Sequence, residues 1–112
     1  MESDSVSRFR AQIEARLSEL TAEDARGRSG QDTVELDQQA IGRLSRQDAL
    51  QSQAMARATH ARRDVERRRL RAALARIAEG EFGYCEECGE EIGAGRLALD
   101  PGVTRCISCA AG

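Results

Sequence analysis

The sequence predicts a mainly α protein, in which an antiparallel coiled-coil hairpin arm is joined to a small module built around four cysteines. No glycine or proline occurs between Arg43 and Glu79, so this segment can form one long helix. The cysteines are confined to the last quarter of the chain. Charged residues make up 32% of the sequence and aromatic residues only 3%, which suits solvated helices with a narrow seam better than a thick core. We therefore assign residues 1–79 to the arm and residues 80–112 to the module.

The first helix of the arm is predicted from an amphipathic pattern between Asp4 and Ala25. Apolar residues recur there at steps of three and four, at Val6, Phe9, Ile13, Leu17 and Leu20. The segment from Arg26 to Gly30 then predicts a break, because glycine weakens a helix interior. A capping-box sequence at Asp32–Glu35 predicts that a helix restarts and runs to about Ile41.

The second helix is predicted to begin at Ser45-Arg-Gln-Asp48, a capping-type start that follows Gly42. The uninterrupted segment from Arg43 to Glu79 would be about 55 Å long as one helix. Such a helix needs a partner that buries its seam, and the first helix is the candidate within the chain. Matching the lengths of the two helices places the hairpin tip at residues 42–48, with residues 26–31 as the alternative.

The seam of the second helix is predicted to be narrow and rich in alanine. It shifts to an adjoining stripe near Leu70, which indicates that the packing partner changes there, to the four-cysteine module. The two stripes are formed by Leu50, Ala54, Ala58, Ala61, Val65 and Ala72, and by Leu70, Leu74 and Ile77.

The cysteines form two equally spaced pairs, Cys85-Glu-Glu-Cys88 and Cys106-Ile-Ser-Cys109. Four thiolates at this spacing can bind one Zn²⁺ tetrahedrally, with zinc–sulfur distances of about 2.3 Å. A disulfide scaffold is the alternative, but so few cysteines in a chain with no secretory segment favour zinc. Because four thiolates fill the coordination shell, the zinc would be structural, and folding of this zinc-finger module would depend on it. Phe82 and Tyr84 precede the first ligand and are predicted to form the small core of the module.

The sequence also limits the function classes. No apolar run approaches the roughly 20 residues of a membrane span, and no signal-peptide core is present, which predicts a cytoplasmic protein. We find no nucleophile–base pair, phosphate loop or paired carboxylates, so we predict no enzymatic activity. The segment Arg57–Arg76 carries eight arginines against two acids and could contact phosphates, although a solvated helix face is the simpler interpretation. His60, the single histidine, is predicted to be a surface residue.

Between and around the cysteines the sequence resembles the DksA/TraR zinc-finger signature. The resemblance covers about thirty residues, from Ala78 to Cys109, and comprises the run from Phe82 to Ile92 followed by Arg96, Pro101, Cys106 and Cys109. Arg96 could bind a partner or form an ion pair with the nearby glutamates. The resemblance implies a bacterial transcription regulator that binds RNA polymerase through its secondary channel. It further implies that a zinc base docks on the enzyme, and that acidic residues at the tip of the arm modulate initiation near the active site.

Two features of the sequence depart from the family pattern. The usual tip motif, Asp-x-x-Asp-x-Ala, is not reproduced, and Asp48 with Ala49 is the nearest local equivalent. As an alternative, Asp48 would only stabilise the first turn of its helix, where a carboxylate contributes about 0.3–1 kcal/mol. The sequence also ends three residues after Cys109, so we expect contacts made by the C-terminal helix of longer members to be absent.

The family often acts with the alarmone ppGpp, the signal of the stringent response. Counting back from Cys85, Arg62 and Arg69 match basic positions that longer members use to hold ppGpp. Glu66 lies on the same helical face, where we expect it to pair with these arginines and repel a polyphosphate. We therefore predict a weak or absent response to ppGpp.

Two other functions stay open at this point. One is a zinc ribbon that binds nucleic acid through the arginine-rich helix, although the acidic finger would repel phosphates. The other is a structural adaptor coiled coil, which would not account for the signature. We expect a monomer that binds polymerase, and neither a membrane nor a specific DNA sequence.

Overall fold

The chain consists of two long helices followed by a short segment that carries the cysteines. The computed structural model describes the backbone of residues 1–41 and 46–111, and the side chains of residues 1–27 and 46–111. The helices are α1 (Ser3–Ile41), α2 (Arg46–Glu79), α3 (Ala94–Leu99) and α4 (Ile107–Ala111). In the described part, β pairing is limited to one antiparallel bridge between Tyr84 and Glu91. The predicted mainly α fold, with a coiled-coil hairpin and a four-cysteine module, is confirmed.

Contacts divide the chain into two compact units, which we describe separately. The finger unit contains Met1–Leu17 and Glu66–Gly112, and the arm unit contains Ser18–Val65. The finger unit thus includes parts of both long helices as well as the cysteines. The domain boundary that the sequence places between residues 79 and 80 stays a prediction. Within residues 1–41 and 46–111, no helix combines the length and apolar character that crossing a membrane requires.

The core of the finger unit is assembled from α1, α2 and the module. The rings of Phe9 and Phe82 meet with centroids 5.6 Å apart and planes tilted by 52°. Such a pair contributes about 0.5–1.5 kcal/mol beyond the area that the rings bury. The other buried apolar residues of this unit are Ile13, Leu70, Ala73, Ile77, Cys85, Ile92 and Leu97. The module therefore uses residues of α1 and α2 to complete its core. Tyr84, predicted to belong to that core, is 41% exposed, so this prediction was wrong.

The predicted apolar face of α1 is confirmed, but the predicted break is not. Phe9, Ile13 and Leu20 are buried. The helix continues without interruption from Ser3 to Ile41, through both Gly27 and Gly30. Each glycine costs a helix interior about 1 kcal/mol relative to alanine, and packing of the hairpin readily exceeds a cost of this size. The predicted break at Arg26 to Gly30 and the predicted restart of the helix at Asp32–Glu35 were therefore wrong.

Helix α1 ends at Ile41. Helix α2 begins at Arg46, close to the predicted start at Ser45. Continuity of α1 removes the alternative turn at residues 26–31. Residues 42–45 of the predicted tip lie outside the described residues.

The seam of α2 differs from the predicted one in its first half. Leu50 and Val65 are 63% and 47% exposed, and the alanines of the predicted stripe are also exposed. The less exposed residues instead follow a seven-residue step, at Ala49, Ala56, Arg63, Leu70 and Ile77. The pattern of apolar residues in the sequence does not reveal this seam, because one of its members is Arg63. That side chain can turn inward because its Nε donates to Asp24 Oδ1 at 2.7 Å.

Glycine at position 80 ends α2 and turns the chain into the module. Its φ of 77° lies in the left-handed region that favours glycine. The amide of Gly80 donates to the carbonyl of Ile77 at 3.2 Å, and the amide of Glu81 donates to the carbonyl of Arg76 at 2.9 Å. This is the Schellman pattern of helix termination, which satisfies carbonyls that the helix leaves open.

An ion pair joins the two long helices within the finger unit. Arg16 Nε and Nη2 donate to the two carboxylate oxygens of Glu66 at 2.7 and 3.0 Å. The hydrogen bonds from Arg16 hold the pKa of Glu66 below its usual value. Each side chain is about one third exposed, so the pair is partly screened by solvent.

We expect Glu66→Gln to destabilise the zinc-loaded protein by roughly 0.5–1 kcal/mol at pH 7. Because the folded state lowers this pKa, the contribution is present above the unfolded value of 4.5 and is lost as the pH falls through the folded value. Chemical unfolding at a series of pH values measures the difference from the native sequence. Glu14→Gln, at an exposed position of α1, is the control and should show no such difference. An effect of Glu66→Gln that stays constant down to pH 3 would contradict the role of the ion pair.

Candidate functional site

The first cysteine pair lies on a tight turn that backbone hydrogen bonds hold in place. The amide of Cys85 donates to the carbonyl of Glu90 at 2.8 Å, and the amide of Gly89 donates back to the carbonyl of Cys85 at 2.9 Å. Gly89 has a φ of 76°, which lets the chain reverse directly after Cys88. The amide of Ile92 then donates to the carbonyl of Gly83 at 2.7 Å and closes the turn.

The second pair lies at the start of the last helix. Cys106 directly precedes α4, Cys109 lies within it, and the amide of Ala110 donates to the carbonyl of Cys106 at 2.9 Å. The amide of Glu86 donates to the carbonyl of Thr104 at 2.9 Å, which connects the two halves of the module. Two local turns, each with Cys-x-x-Cys spacing, thus direct their thiols to one point.

The four sulfurs have the geometry of one tetrahedral metal site. All four lie within 4.8 Å of one another, and none is in a disulfide. Cys88 Sγ and Cys106 Sγ are 3.6 Å apart. Zinc–sulfur bonds of about 2.3 Å require sulfur–sulfur separations of about 3.8 Å, so the site fits Zn²⁺. The ion that this C4 site accepts is one structural zinc with a closed coordination shell.

The thiols differ in how readily they lose a proton. Backbone hydrogen bonds, chiefly from Cys88 and then from Cys106, lower the pKa of the Cys85 thiol to about 6. Hydrogen bonds with the neighbouring sulfurs, that of Cys106 first, raise the pKa of Cys109. Thiolates this close repel one another, and a divalent cation at their centre removes that repulsion.

Polar contacts around the cysteines connect the second pair to the rest of the module. Arg105 Nη2 lies 3.0 Å from Glu87 Oε1. Arg96 Nε donates to the carbonyl of Arg105 at 3.1 Å. The arginine paired with the glutamate cluster is therefore Arg105, and the ion pair that was one of two alternatives for Arg96 does not occur among the described residues.

The predicted tip residues lie in the first turn of α2. Asp48 is exposed, and Ala49 is half-buried as the first member of the seven-residue seam. Both belong to the arm unit, as does Arg62. Asp48 and Arg62 are fourteen positions apart on one helix, or about 21 Å, so they form separate sites.

Each of the two arginines predicted to contact ppGpp has a partner within the chain. Arg62 Nη2 donates to Thr59 Oγ1 at 3.0 Å, and Arg69 Nη2 donates to Asp100 Oδ2 at 2.7 Å. The predicted pairing of Glu66 with these arginines was wrong, because the hydrogen-bonded partner of Glu66 is Arg16. The pairing of Asp100 with Arg69 was not predicted, because Asp100 approaches Arg69 only through folding of the module. The prediction that His60 is a surface residue is confirmed, since its side chain is 62% exposed.

Comparisons with known proteins agree with the site. The family model described as the prokaryotic dksA/traR C4-type zinc finger matches residues 80–112. The RNA polymerase-binding transcription factor DksA of Haemophilus influenzae is 44% identical over 50 residues, which cover 42% of this chain and 34% of that protein. The factor of the same name from Escherichia coli is 42% identical over 50 residues, covering 42% and 33%. The matched segment thus spans about a third of these curated relatives.

A solved structure is similar along nearly the whole chain. Transcription factor DksA2 from Pseudomonas aeruginosa superposes with a TM-score of 0.84 and 25% sequence identity. The match covers 99% of this chain and 84% of that structure. The likeness therefore includes the long helices as well as the cysteine module.

We expect the purified protein to contain one zinc per chain. Replacing Cys106 by serine removes one of four donors, so zinc affinity should fall at least about tenfold while α1 and α2 stay largely helical. Metal analysis, competition with a chelator and far-UV circular dichroism measure these quantities. Ser108→Ala, between the cysteines of the same pair, is the control and should keep native affinity. Unchanged affinity in Cys106→Ser would show that another group is the ligand.

Proposed function

Because the chain is a member of the DksA/TraR-type zinc-finger family, we propose that it binds bacterial RNA polymerase and regulates transcription. The observation that carries this proposal is the similarity to DksA2 over 99% of the chain together with the C4 finger match. The curated relatives are named as polymerase-binding transcription factors. The arm would enter the secondary channel and modulate initiation, in a monomer that acts in the cytoplasm.

The two units would have different roles in this proposal. The finger unit, with zinc held by Cys85, Cys88, Cys106 and Cys109, would dock on the surface of the enzyme. The arm unit would present Asp48 and Ala49 near the active site. The exposure of Asp48 beside the half-buried Ala49 supports this assignment, because an exposed carboxylate is accessible to a partner.

The nucleic-acid interpretation gains no support from the arginine-rich helix. Arg67 is buried, and Arg63 and Arg69 pair with Asp24 and Asp100. Part of the positive charge is thus used inside the protein, and the exposed module is acidic. A pull-down from bacterial lysate at low and moderate salt tests the preferred function. Recovery of polymerase core subunits is expected, whereas salt-sensitive recovery of DNA or RNA alone would contradict it.

We expect Asp48→Asn to abolish the effect on transcription from a sensitive ribosomal-type promoter, while polymerase binding stays within about twofold of native. The substitution removes a charge at an exposed position and buries nothing new. Transcription with purified polymerase and a binding assay measure the two quantities. Asp64→Asn, which changes an exposed carboxylate in the middle of the same helix, is the control. Full activity in Asp48→Asn would exclude Asp48 as the functional acid, and loss of both folding and binding would reduce it to a capping role.

We also propose that ppGpp adds little to the activity. Arg69 lies beside the carboxylate of Asp100, and both side chains are 46% exposed. The charge of Arg69 also lowers the pKa of Glu66, although less than Arg16 does, whereas burial raises it. Two acids therefore surround this arginine, and a polyphosphate would be repelled by both. Ala110, directly after the last cysteine, offers no further positive charge.

Titrating ppGpp into transcription reactions tests this proposal, with a polymerase that lacks its own ppGpp site. We expect less than about a twofold further change in transcription. Asp100→Asn removes the nearer acid and should increase the response, whereas Asp4→Asn on α1 should not. A large response of the native protein that disappears in Arg69→Ala would contradict the proposal.

A further inference from the structure

A cleft in the arm unit combines positive charge with unusually small neighbouring residues. It has a volume of about 520 Å³, which is within the usual range of small-molecule sites. Its lining includes Asp24 and Gly27 of α1 and Ala56, Arg57, His60 and Arg63 of α2. Thr59 also lines the cleft and accepts a hydrogen bond from Arg62 Nη2 at 3.0 Å, but neither Arg62 nor Asp48 is itself a lining residue.

The space in this cleft depends on the glycine in the middle of α1. A Cβ atom at Gly27 would lie 3.2 Å from Arg63 Nη2, closer than most side-chain contacts. Any larger residue would press directly on the guanidinium group. Glycine is unfavourable within a helix, yet here it gives Arg63 room to extend along the cleft. The methyl side chain of Ala56 keeps the cleft open on the α2 side.

Among the described residues that line the cleft, positive charge exceeds negative charge. The carboxylate of Asp24 is 11% exposed and accepts a hydrogen bond from Arg63 Nε at 2.7 Å. His60 Nδ1 lies 3.3 Å from the same carboxylate oxygen. Asp24 therefore holds Arg63 and His60 in place, and within the described part of the lining one carboxylate faces two arginines.

Two arginine groups are available to an anion in this arrangement. Arg63 donates from Nε to Asp24, so its Nη groups are left to donate to an anion. Arg57 is exposed and makes no hydrogen bond or ion pair within the described ranges 1–27 and 46–111. Planar guanidinium groups match the oxygens of a phosphate, because two parallel hydrogen bonds can form to each group. We propose that this cleft binds a small phosphate-bearing anion, held by Arg57 and Arg63 with His60 at its rim.

Titration of the zinc-loaded full chain with inorganic pyrophosphate tests this site. His60 is the single histidine, so its ring signals in NMR spectra report on this position alone. At fixed pH and ionic strength we expect a saturable shift of these signals. Arg57→Ala should weaken binding about tenfold or more, since hydrogen bonds to charged groups are worth that factor. Arg71→Ala, an exposed arginine of α2 outside the cleft, should leave the affinity unchanged.

A second variant separates binding from folding. Gly27→Ala should raise the midpoint temperature of thermal unfolding, because alanine favours the helical conformation of α1. The same substitution should weaken pyrophosphate binding, because the added Cβ displaces Arg63. If the cleft had only a structural role, a variant with a higher unfolding temperature would not also bind pyrophosphate more weakly. Far-UV circular dichroism checks that Arg57→Ala and Gly27→Ala retain their helices.

Three results would overturn the proposal. Shifts that rise linearly with concentration, equally in the native protein and Arg57→Ala, would indicate an effect of ions alone. Saturable binding that survives both Arg57→Ala and Gly27→Ala would place the anion elsewhere. Tighter binding of a glutamate-rich peptide than of pyrophosphate would assign the cleft to an acidic protein segment.

Discussion

The structure depends on one constraint, which is that the cysteine module is too small to bury a core by itself. Its apolar residues are few, and a segment of about thirty residues rarely folds without a metal or a partner surface. Here it has both. Zinc draws two separate turns together, and α1 and α2 supply the surface on which Phe82, Ile92 and Leu97 are buried. The contact between Phe9 and Phe82 joins the first helix to the module directly.

This constraint explains which features the sequence could predict. The Cys-x-x-Cys pairs depend on local turns, and residues within a few positions of each cysteine determine those turns. The apolar face of α1 also has a strong helical period, so Phe9, Ile13 and Leu20 were identified correctly. Both features are local. Contacts of high sequence separation, such as Arg69 with Asp100, leave no comparable pattern in the sequence.

The errors arise where polar residues replace apolar ones at interhelical positions. Apolar periodicity leads to the exposed stripe that includes Leu50 and Val65, and not to the half-buried polar positions Arg63 and Glu66. Those two side chains turn inward because acids and bases on α1 match them, Asp24 for Arg63 and Arg16 for Glu66. Half-buried ion pairs contribute modest stability, but they discriminate well between alternative registers of two helices. The predicted break in α1 failed for a related reason, since local glycine signals are weaker than pairing along a hairpin.

The bond from Gln12 Nε2 to the carbonyl of Ala98 spans 86 positions of the chain. From this bond and the contact between the two phenylalanine rings we expect that the finger unit is completed late in folding. The two long helices can form and pair through short-range steps, which are fast. The module can gather its zinc at any stage, but it finds its aromatic partner only after the hairpin has brought the beginning of α1 back to the end of α2. Closing such a long loop is entropically unfavourable until the helices have paired. We therefore expect the arm helices to pair before the finger unit is complete, so that a molecule with an unpaired arm would lack a complete base as well.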